Sequence, residues 1–130
     1  MGMYTEFHFN SRLKQGTPDS IIKILKYLND HSIIIELPNH EFFNSYRWMW
    51  LFQSDSYYFD GDTYCTIRYD KIAKAYFLNI KTNIKNYEQE ITKFIDFIYP
   101  YLDKIEGEFL GFYRYEETED PTLIHYEERR

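Results

Sequence analysis

Apolar and polar side chains alternate over residues 3–10, near the start of the chain. Phe7 and Phe9 fall on one side of an extended backbone, whereas Glu6 and His8 fall on the other. A period of two is typical of a strand with one buried face. We therefore predict a half-buried β-strand over residues 3–10.

A first helix is predicted to start at Thr17-Pro18-Asp19. The threonine offers a hydroxyl N-cap, proline is favoured in the first turn, and the aspartate lies at the positive end of the helix dipole. The helix should end near residues 29–30. Residues 33–37, which precede Pro38, are compatible with a short strand or with a buried connection. The apolar stripe of this helix consists of Ile21, Ile24, Leu25 and Leu28.

A second helix is predicted after Asn86, an N-cap residue with a capping-box partner at Gln89. Pro100 should either kink this helix or end its first segment. Gly107 is expected to close it. Its apolar stripe consists of Ile91, Phe94, Ile95, Ile98 and Leu102.

Strands are predicted in the middle and at the end of the chain. Asp60-Gly61 lies between two aromatic-rich runs, which is a strong hairpin signal because both turn residues tolerate positive φ. This turn sets a register with Tyr57 opposite Tyr64. Three further strands are predicted, at residues 75–82, 109–116 and 123–127.

The predicted order is strand, helix, three strands, helix, two strands. Both helical stripes need a cover, and one antiparallel sheet with both helices on the same face supplies it. The sequence therefore predicts a two-layer α+β sandwich formed by a single domain over residues 3–130, with Met1-Gly2 as a cloning scar. We expect a core that contains Phe7, Phe9, Ile24, Leu28, Trp50, Ile67, Ile80, Phe94 and Ile98.

Charge and composition limit the classes of partner. The chain carries 21 acidic and 15 basic residues, a net charge of −6, which argues against strong binding to nucleic-acid phosphates. Cys65 is the only cysteine, so an internal disulfide is excluded. The apolar runs are too short to span a bilayer, and no secretory signal is recognisable. We expect a cytoplasmic protein that binds no membrane. The lack of valine and the abundance of Ile, Lys, Asn, Phe and Tyr favour a low-GC bacterial or phage source.

Aromatic residues exceed what the core can hold. The chain has 14 Tyr, 11 Phe and 2 Trp, so many rings must lie at the surface or at a contact. Aromatic and arginine side chains together are typical of protein-contact hot spots. Stacking of single-stranded nucleic acid is disfavoured by the acidic balance, and a solvated surface is the remaining interpretation. We predict a binding face, opposite the helices, made of Arg47, Gln53, Tyr57, Tyr64, Arg68 and Phe77.

An acidic patch occupies residues 116–120. Such a patch mimics phosphate toward a basic groove of a partner, or keeps an edge hairpin from aggregating. We add its four acids to the predicted binding residues: Glu116, Glu117, Glu119 and Asp120.

No set of residues predicts a metal, a cofactor or a catalytic centre. Asp55, Asp60 and Asp62 crowd one hairpin without the spacing of a calcium loop. His40 begins a zinc-protease motif whose second histidine is missing. Cys65 falls on the core face, where a thiol behaves as a small apolar group.

The sequence favours a non-catalytic protein that docks a protein partner, or a second copy of itself, through its aromatic face and acidic hairpin. Small acidic proteins of this kind include phage and mobile-element accessory proteins and inhibitors of host enzymes. The alternative is a small hydrolase, or a nucleotide or small-ligand binder. Its site would be built from strand residues such as His8 and His125, provided that the first and last strands are neighbours.

Overall fold

The computed structural model describes residues 4–44, 48–49, 64–84 and 89–127. Five strands and two α-helices occur in these residues. In chain order the elements are β1 (Thr5–Arg12), α1 (Asp19–Tyr27), a 3-10 turn (Glu41–Phe43), β2 (Tyr64–Asp70), β3 (Ala75–Ile84), α2 (Glu90–Ile98), a second 3-10 turn (Tyr99–Tyr101), β4 (Phe109–Tyr115) and β5 (Thr122–His125).

The five strands form one sheet in the order β2-β3-β1-β4-β5, and every neighbouring pair is antiparallel. The first strand of the chain is therefore the central strand of the sheet. The helices contribute buried residues to the same hydrophobic core as β1 and β3. The predicted two-layer α+β sandwich is confirmed, and the helices and strands that the structure describes follow the predicted order.

The core lies between the helices and one face of the sheet. Phe7 and Phe9 are buried on this face of β1, and the ring of Phe94 from α2 contacts both edge-on at 6.3 and 6.1 Å. Of the expected core residues, Ile67 is only half-buried against the cluster, and Trp50 lies outside the described residues. The others are at most 1% exposed: Phe7, Phe9, Ile24, Leu28, Ile80, Phe94 and Ile98.

A second group of aromatic side chains extends this core beyond α2. The ring of Phe42 stacks on Phe97 at 5.7 Å and meets Phe94 at 5.5 Å. Phe43 contacts Trp48 at 5.0 Å, and Trp48 is buried. Part of the aromatic surplus is thus used inside the protein, on the helical side of the sheet.

The start of α1 differs from the prediction by one residue. Pro18 is the N-cap, with φ −55° and ψ 140°, and no side chain caps the helix. The hydroxyl of Thr17 instead donates to the carbonyl of Lys14 at 2.6 Å. The threonine therefore closes the loop between β1 and α1, so the prediction of a threonine N-cap is wrong.

The second helix is shorter than predicted at both ends. Gln89 precedes it with a left-handed backbone, φ 58°, which is incompatible with a helix interior. Pro100 lies in the 3-10 turn after Ile98, so it ends the helix rather than kinking it. Gly107, with φ +87°, therefore belongs to the turn before β4 and closes no helix.

The predicted central hairpin lies mostly outside the described residues, including Asp60-Gly61 and its opposed pair. Trp48 and Met49, at its start, have helical rather than extended backbone. Residues 33–37 form an irregular connection and no strand. The predicted strand at 75–82 and the terminal hairpin are present.

Candidate functional site

The sheet face opposite the helices, called here the open face, is built from the alternate residues of the strands. In β1 these are Glu6, His8 and Asn10, which alternate with buried residues that include Phe7 and Phe9. The antiparallel register adds residues of the neighbouring strands to the same face. These residues are Arg68, Phe77, Asn79, Lys81, Phe112 and Arg114.

Glu6 is the centre of a charged cluster on the open face. Its Oε1 atom lies 2.5 Å from Nε2 of His8, and its Oε2 atom lies 3.5 Å from Nη2 of Arg114. The side chain of Glu6 is only 16% exposed. The ring of His8 stacks on Phe112 with centroids 4.4 Å apart. One carboxylate thus holds side chains from β1 and β4 in place.

A shallow groove of about 440 Å³ opens beside His8. Its walls combine carboxamides with aromatic rings and one ammonium group. Its two carboxamides belong to neighbouring strands, because the register places Asn10 directly opposite Asn79. The side chains that line it include Asn10, Asn79, Lys104, Phe109 and Phe112.

His8 and His125 do not form a pair. The strand β4 lies between β1 and β5. His8 lies opposite Phe112 and His125 opposite Phe109, so the two histidines are also offset along β4 and are more than about 10 Å apart by the usual strand spacing. The ring of His125 instead contacts Phe109 at 5.6 Å. The condition for the hydrolase alternative, neighbouring first and last strands, is therefore not met.

The predicted aromatic binding face is described only in part. Phe77 lies opposite Arg68 of β2 on one side and opposite Arg12 of β1 on the other in the register. The backbone of Tyr64 lies opposite Lys81. The remaining predicted residues, Arg47, Gln53 and Tyr57, lie outside the described residues.

The predicted acidic patch forms the loop between β4 and β5, and this acidic loop is defined by Glu116, Glu117, Glu119 and Asp120. The backbone N–H of Glu116 donates to the carbonyl of Tyr4 at 3.1 Å, which ties the loop to the start of β1. Nη1 of Arg114 donates to the carbonyl of Thr118 at 3.3 Å. Glu117, Glu119 and Asp120 are exposed.

The side chain of His40 is held by hydrogen bonds, and the thiol of Cys65 is buried. Nδ1 of His40 accepts the N–H of Phe42, so Nε2 carries the proton and donates to Asp96 at 2.9 Å. Burial raises the pKa of the Cys65 thiol to about 12, although a hydrogen bond from Asn29 acts in the opposite direction. Within the ranges that the structure describes, no three His, Cys, Asp or Glu side chains gather around a common point.

A second groove, of about 680 Å³, separates β5 from α2. Thr92, Asp96 and Tyr99 follow one another at helical spacing and form its wall on the helical side. Backbone and side chains of residues 122–125 form the opposite wall. Neither this groove nor the Glu6–Arg114 contact is recognisable from the sequence, because both depend on which strands are neighbours.

Comparison of the chain with protein-family models, curated proteins and solved structures finds no match. Among the described residues, no helix is both long enough and apolar enough to cross a membrane.

Proposed function

We propose that the protein is a non-catalytic binding protein that docks a protein partner through the open face and the acidic loop. The observation that carries the proposal is the position of Arg114. Its guanidinium contacts Glu6 on the open face and the carbonyl of Thr118 in the acidic loop. The acidic loop therefore adjoins the open face at its Glu6 end.

The other end of the open face has the composition of a contact surface. Phe77 is half-buried between Arg12 and Arg68 in the register, and Arg68 is exposed. Aromatic and arginine side chains together account for a large share of binding energy in protein interfaces. Arg12 also forms an ion pair with Asp103 at 2.7 Å.

The acidic loop defines the chemistry of the partner. Its four carboxylates lie within five consecutive residues, and three of them are exposed. Such a charge cluster favours association with a basic surface and increases the rate of encounter at low salt. The proposal is therefore a partner with a basic docking surface.

The proposal is tested by capturing partners from cells that carry the gene. We expect wild-type protein to retain a protein that the double variant Arg68→Ser, Phe77→Thr loses, with similar melting temperatures for both. Lys23→Ser, on the exposed side of α1, removes a positive charge elsewhere and serves as the matched control. Retention of the same proteins by all three samples would contradict the proposal.

The acidic loop is tested separately with the double variant Glu117→Gln, Glu119→Gln. We expect slower association with the captured partner and a weaker dependence of the rate on salt, because exposed charges are screened within about 10 Å at 0.1 M salt. An unchanged rate at low salt would remove the loop from the binding surface.

A small-ligand site is a second candidate, favoured by the groove where His8 stacks on Phe112 beside polar carboxamides. A nucleotide at a hundredfold excess over its dissociation constant stabilises the folded state by about 2.7 kcal/mol. We would compare melts of wild type and Phe112→Leu with nucleoside mono- and diphosphates. A rise in melting temperature seen only for wild type would support this site, whereas no rise would reject it.

A further inference from the structure

The strand β5 is the last strand of the sheet among those that the structure describes. It is short, from Thr122 to His125, and three of its four residues are exposed. A strand in this position has one row of backbone N–H and C=O groups on the side away from its neighbour. What these groups can bind depends on which residues of β5 they belong to and on the side chains that lie beside them.

Hydrogen bonds to β4 show which residues form the outer row. Tyr126 exchanges hydrogen bonds with the β4 side, since its N–H donates to Glu108 at 2.7 Å and its carbonyl accepts from Gly107 at 2.8 Å. Antiparallel strands bond through alternate residues. The backbone groups of Leu123 and His125 therefore point outward.

Tyr99 confirms this direction one step further along the chain. Its hydroxyl accepts the backbone N–H of Glu127 and donates to the carbonyl of the same residue. A side chain from the end of α2 thus occupies the outer row at Glu127. It marks one end of the accessible edge, and the acidic loop marks the other.

The groove between β5 and α2 leaves space beside the outer row of β5. Its volume is about 680 Å³, and its wall on α2 presents Thr92 and Asp96 toward the edge strand. An extended segment in this position would bond to the outer row through its backbone and place alternate side chains on opposite sides of the sheet.

The charges around the groove favour one kind of segment. Glu41, Asp96 and Glu127 line it together with one lysine, Lys93. Lys93 already lies 4.0 Å from Glu41, and Asp96 accepts a hydrogen bond from His40. The side chains that an added strand points toward α2 would therefore meet an excess of carboxylates. On the opposite side they would lie beside Leu123, which is 55% exposed.

We infer that an extended segment of a protein partner, with lysine or arginine alternating with apolar residues, adds to the sheet as a further strand along β5. The inference rests on the proposed function, because it names how part of the partner is bound. A second copy of this chain fits less well, since it would bring its own acidic loop and net charge of −6 to the same edge.

The main test uses capped peptides of about eight residues, the length of a strand with its flanks. A peptide of alternating Lys and Val should bind the full-length protein, and a peptide of alternating Glu and Val should not. We expect the affinity of the Lys-Val peptide to fall with added salt. Equal binding of both peptides, or binding of neither, would overturn the inference.

Backbone pairing is tested with two N-methylated forms of the Lys-Val peptide. One form is methylated on the lysine amides, and the other on the valine amides. Only one set of amides faces β5, so we expect one form to lose at least about tenfold in affinity relative to the other. Equal affinities for the two forms would exclude strand addition without any change to the protein.

A matched pair of variants tests the edge from the side of the protein. Leu123→Pro removes an outward N–H, which edge strands tolerate, whereas Leu123→Thr keeps it. We expect the proline variant to bind the Lys-Val peptide at least about tenfold more weakly than the threonine variant. If the proline variant does not fold, the methylated peptides still decide the question.

The two proposals fail in different experiments. The variant Arg68→Ser, Phe77→Thr should bind the Lys-Val peptide as wild type does, because neither residue lines the β5 groove. Loss of the whole partner with retained peptide binding supports both proposals. A concentration-dependent dimer that Leu123→Pro abolishes would show that a second copy covers β5 and would overturn the inference.

Discussion

The two faces of the sheet use alternate residues of the same strands for different purposes. In β1, Phe7 and Phe9 are at most 1% exposed beneath the helices, whereas the alternate residues Glu6 and His8 contact each other on the other face. Side chains that are neighbours along a strand point to opposite faces. The covered face therefore determines stability, and the open face is free to carry binding residues.

A matched pair of phenylalanines gives the largest expected difference between the faces. Phe94 is completely buried against Phe7 and Phe9, whereas Phe109 is 53% exposed on the strand β4. We expect Phe94→Ala to lower the free energy of unfolding by about 3–5 kcal/mol, because it leaves a cavity in the core. Phe109→Ala should cost about 1 kcal/mol or less.

Denaturant unfolding of both variants measures this difference. If both variants lost equally little free energy of unfolding, α2 would not pack on the sheet as described. Equal and large losses would show that Phe109 is covered, and the open face would then no longer be available for a partner.

The next largest loss of stability is expected at Gly111, where the backbones of β4 and β1 approach each other closely. A Cβ atom added to Gly111 in β4 would lie 1.9 Å from the carbonyl oxygen of His8. Because that neighbour is backbone, β1 and β4 would have to separate. We expect Gly111→Ala to lower the free energy of unfolding by about 1–3 kcal/mol, as overpacking does.

Gly107→Asn is the control for this glycine. Gly107 has φ +87° and open space around an added Cβ, and asparagine tolerates a left-handed backbone better than most residues. We expect a loss below about 1 kcal/mol. A larger loss for Gly107→Asn than for Gly111→Ala would show that turn conformation, rather than the approach of β4 to β1, limits stability.

The sequence predicted the covered face better than the open face, for a physical reason. The alternation in β1 and the apolar stripes of the helices reflect burial, and each pattern is visible within a single element. These patterns predicted the burial of Phe7 and Phe94 and the two-layer architecture. The pattern says which side of a strand is buried but contains no information on its neighbours. The contact of Glu6 with Arg114 needed the strand order, so it was not predicted.

Helix ends were also predicted less well than helix faces. The caps depend on the backbone conformation of single residues, such as the left-handed Gln89 before α2. The threonine in Thr17-Pro18 had two possible partners, and the loop carbonyl of Lys14 is the one it binds. Local propensity does not choose between a helix cap and a loop contact when both use the same hydroxyl.

Titratable groups on the covered face should respond to pH in the opposite sense to those at the sheet surface. Burial raises the pKa of Cys65 from 9.0 to about 12. We therefore expect its stabilising contribution to be complete below pH 9 and to be lost as the pH rises toward the folded pKa. Alkylation by iodoacetamide should be slow at pH 8 in the folded protein and much faster in urea. Equal rates in both conditions would show that the thiol is accessible.

The smallest effect is expected at Asp70, at the exposed end of β2. Its Oδ1 atom accepts the N–H of Ile72 at 2.8 Å and the N–H of Ala73 at 3.2 Å, so it holds the turn that leads into β3. The hydrogen bond from Ala73, followed by that from Ile72, lowers the pKa of this carboxyl below 3.8. The ionised form is therefore favoured in the folded state. Its contribution is present above the unfolded pKa and is lost as the pH falls through the folded one.

Two substitutions separate the charge of Asp70 from its hydrogen bonds. Asp70→Ala removes both, whereas Asp70→Asn keeps an oxygen that accepts from the same N–H groups. We expect the alanine variant to melt below wild type at pH 7 and the asparagine variant to fall between them. The gap between wild type and Asp70→Asn should close as the pH falls below 3.8, because the aspartate becomes neutral. A gap that stays constant with pH would show that the charge of Asp70 plays no part in holding the turn.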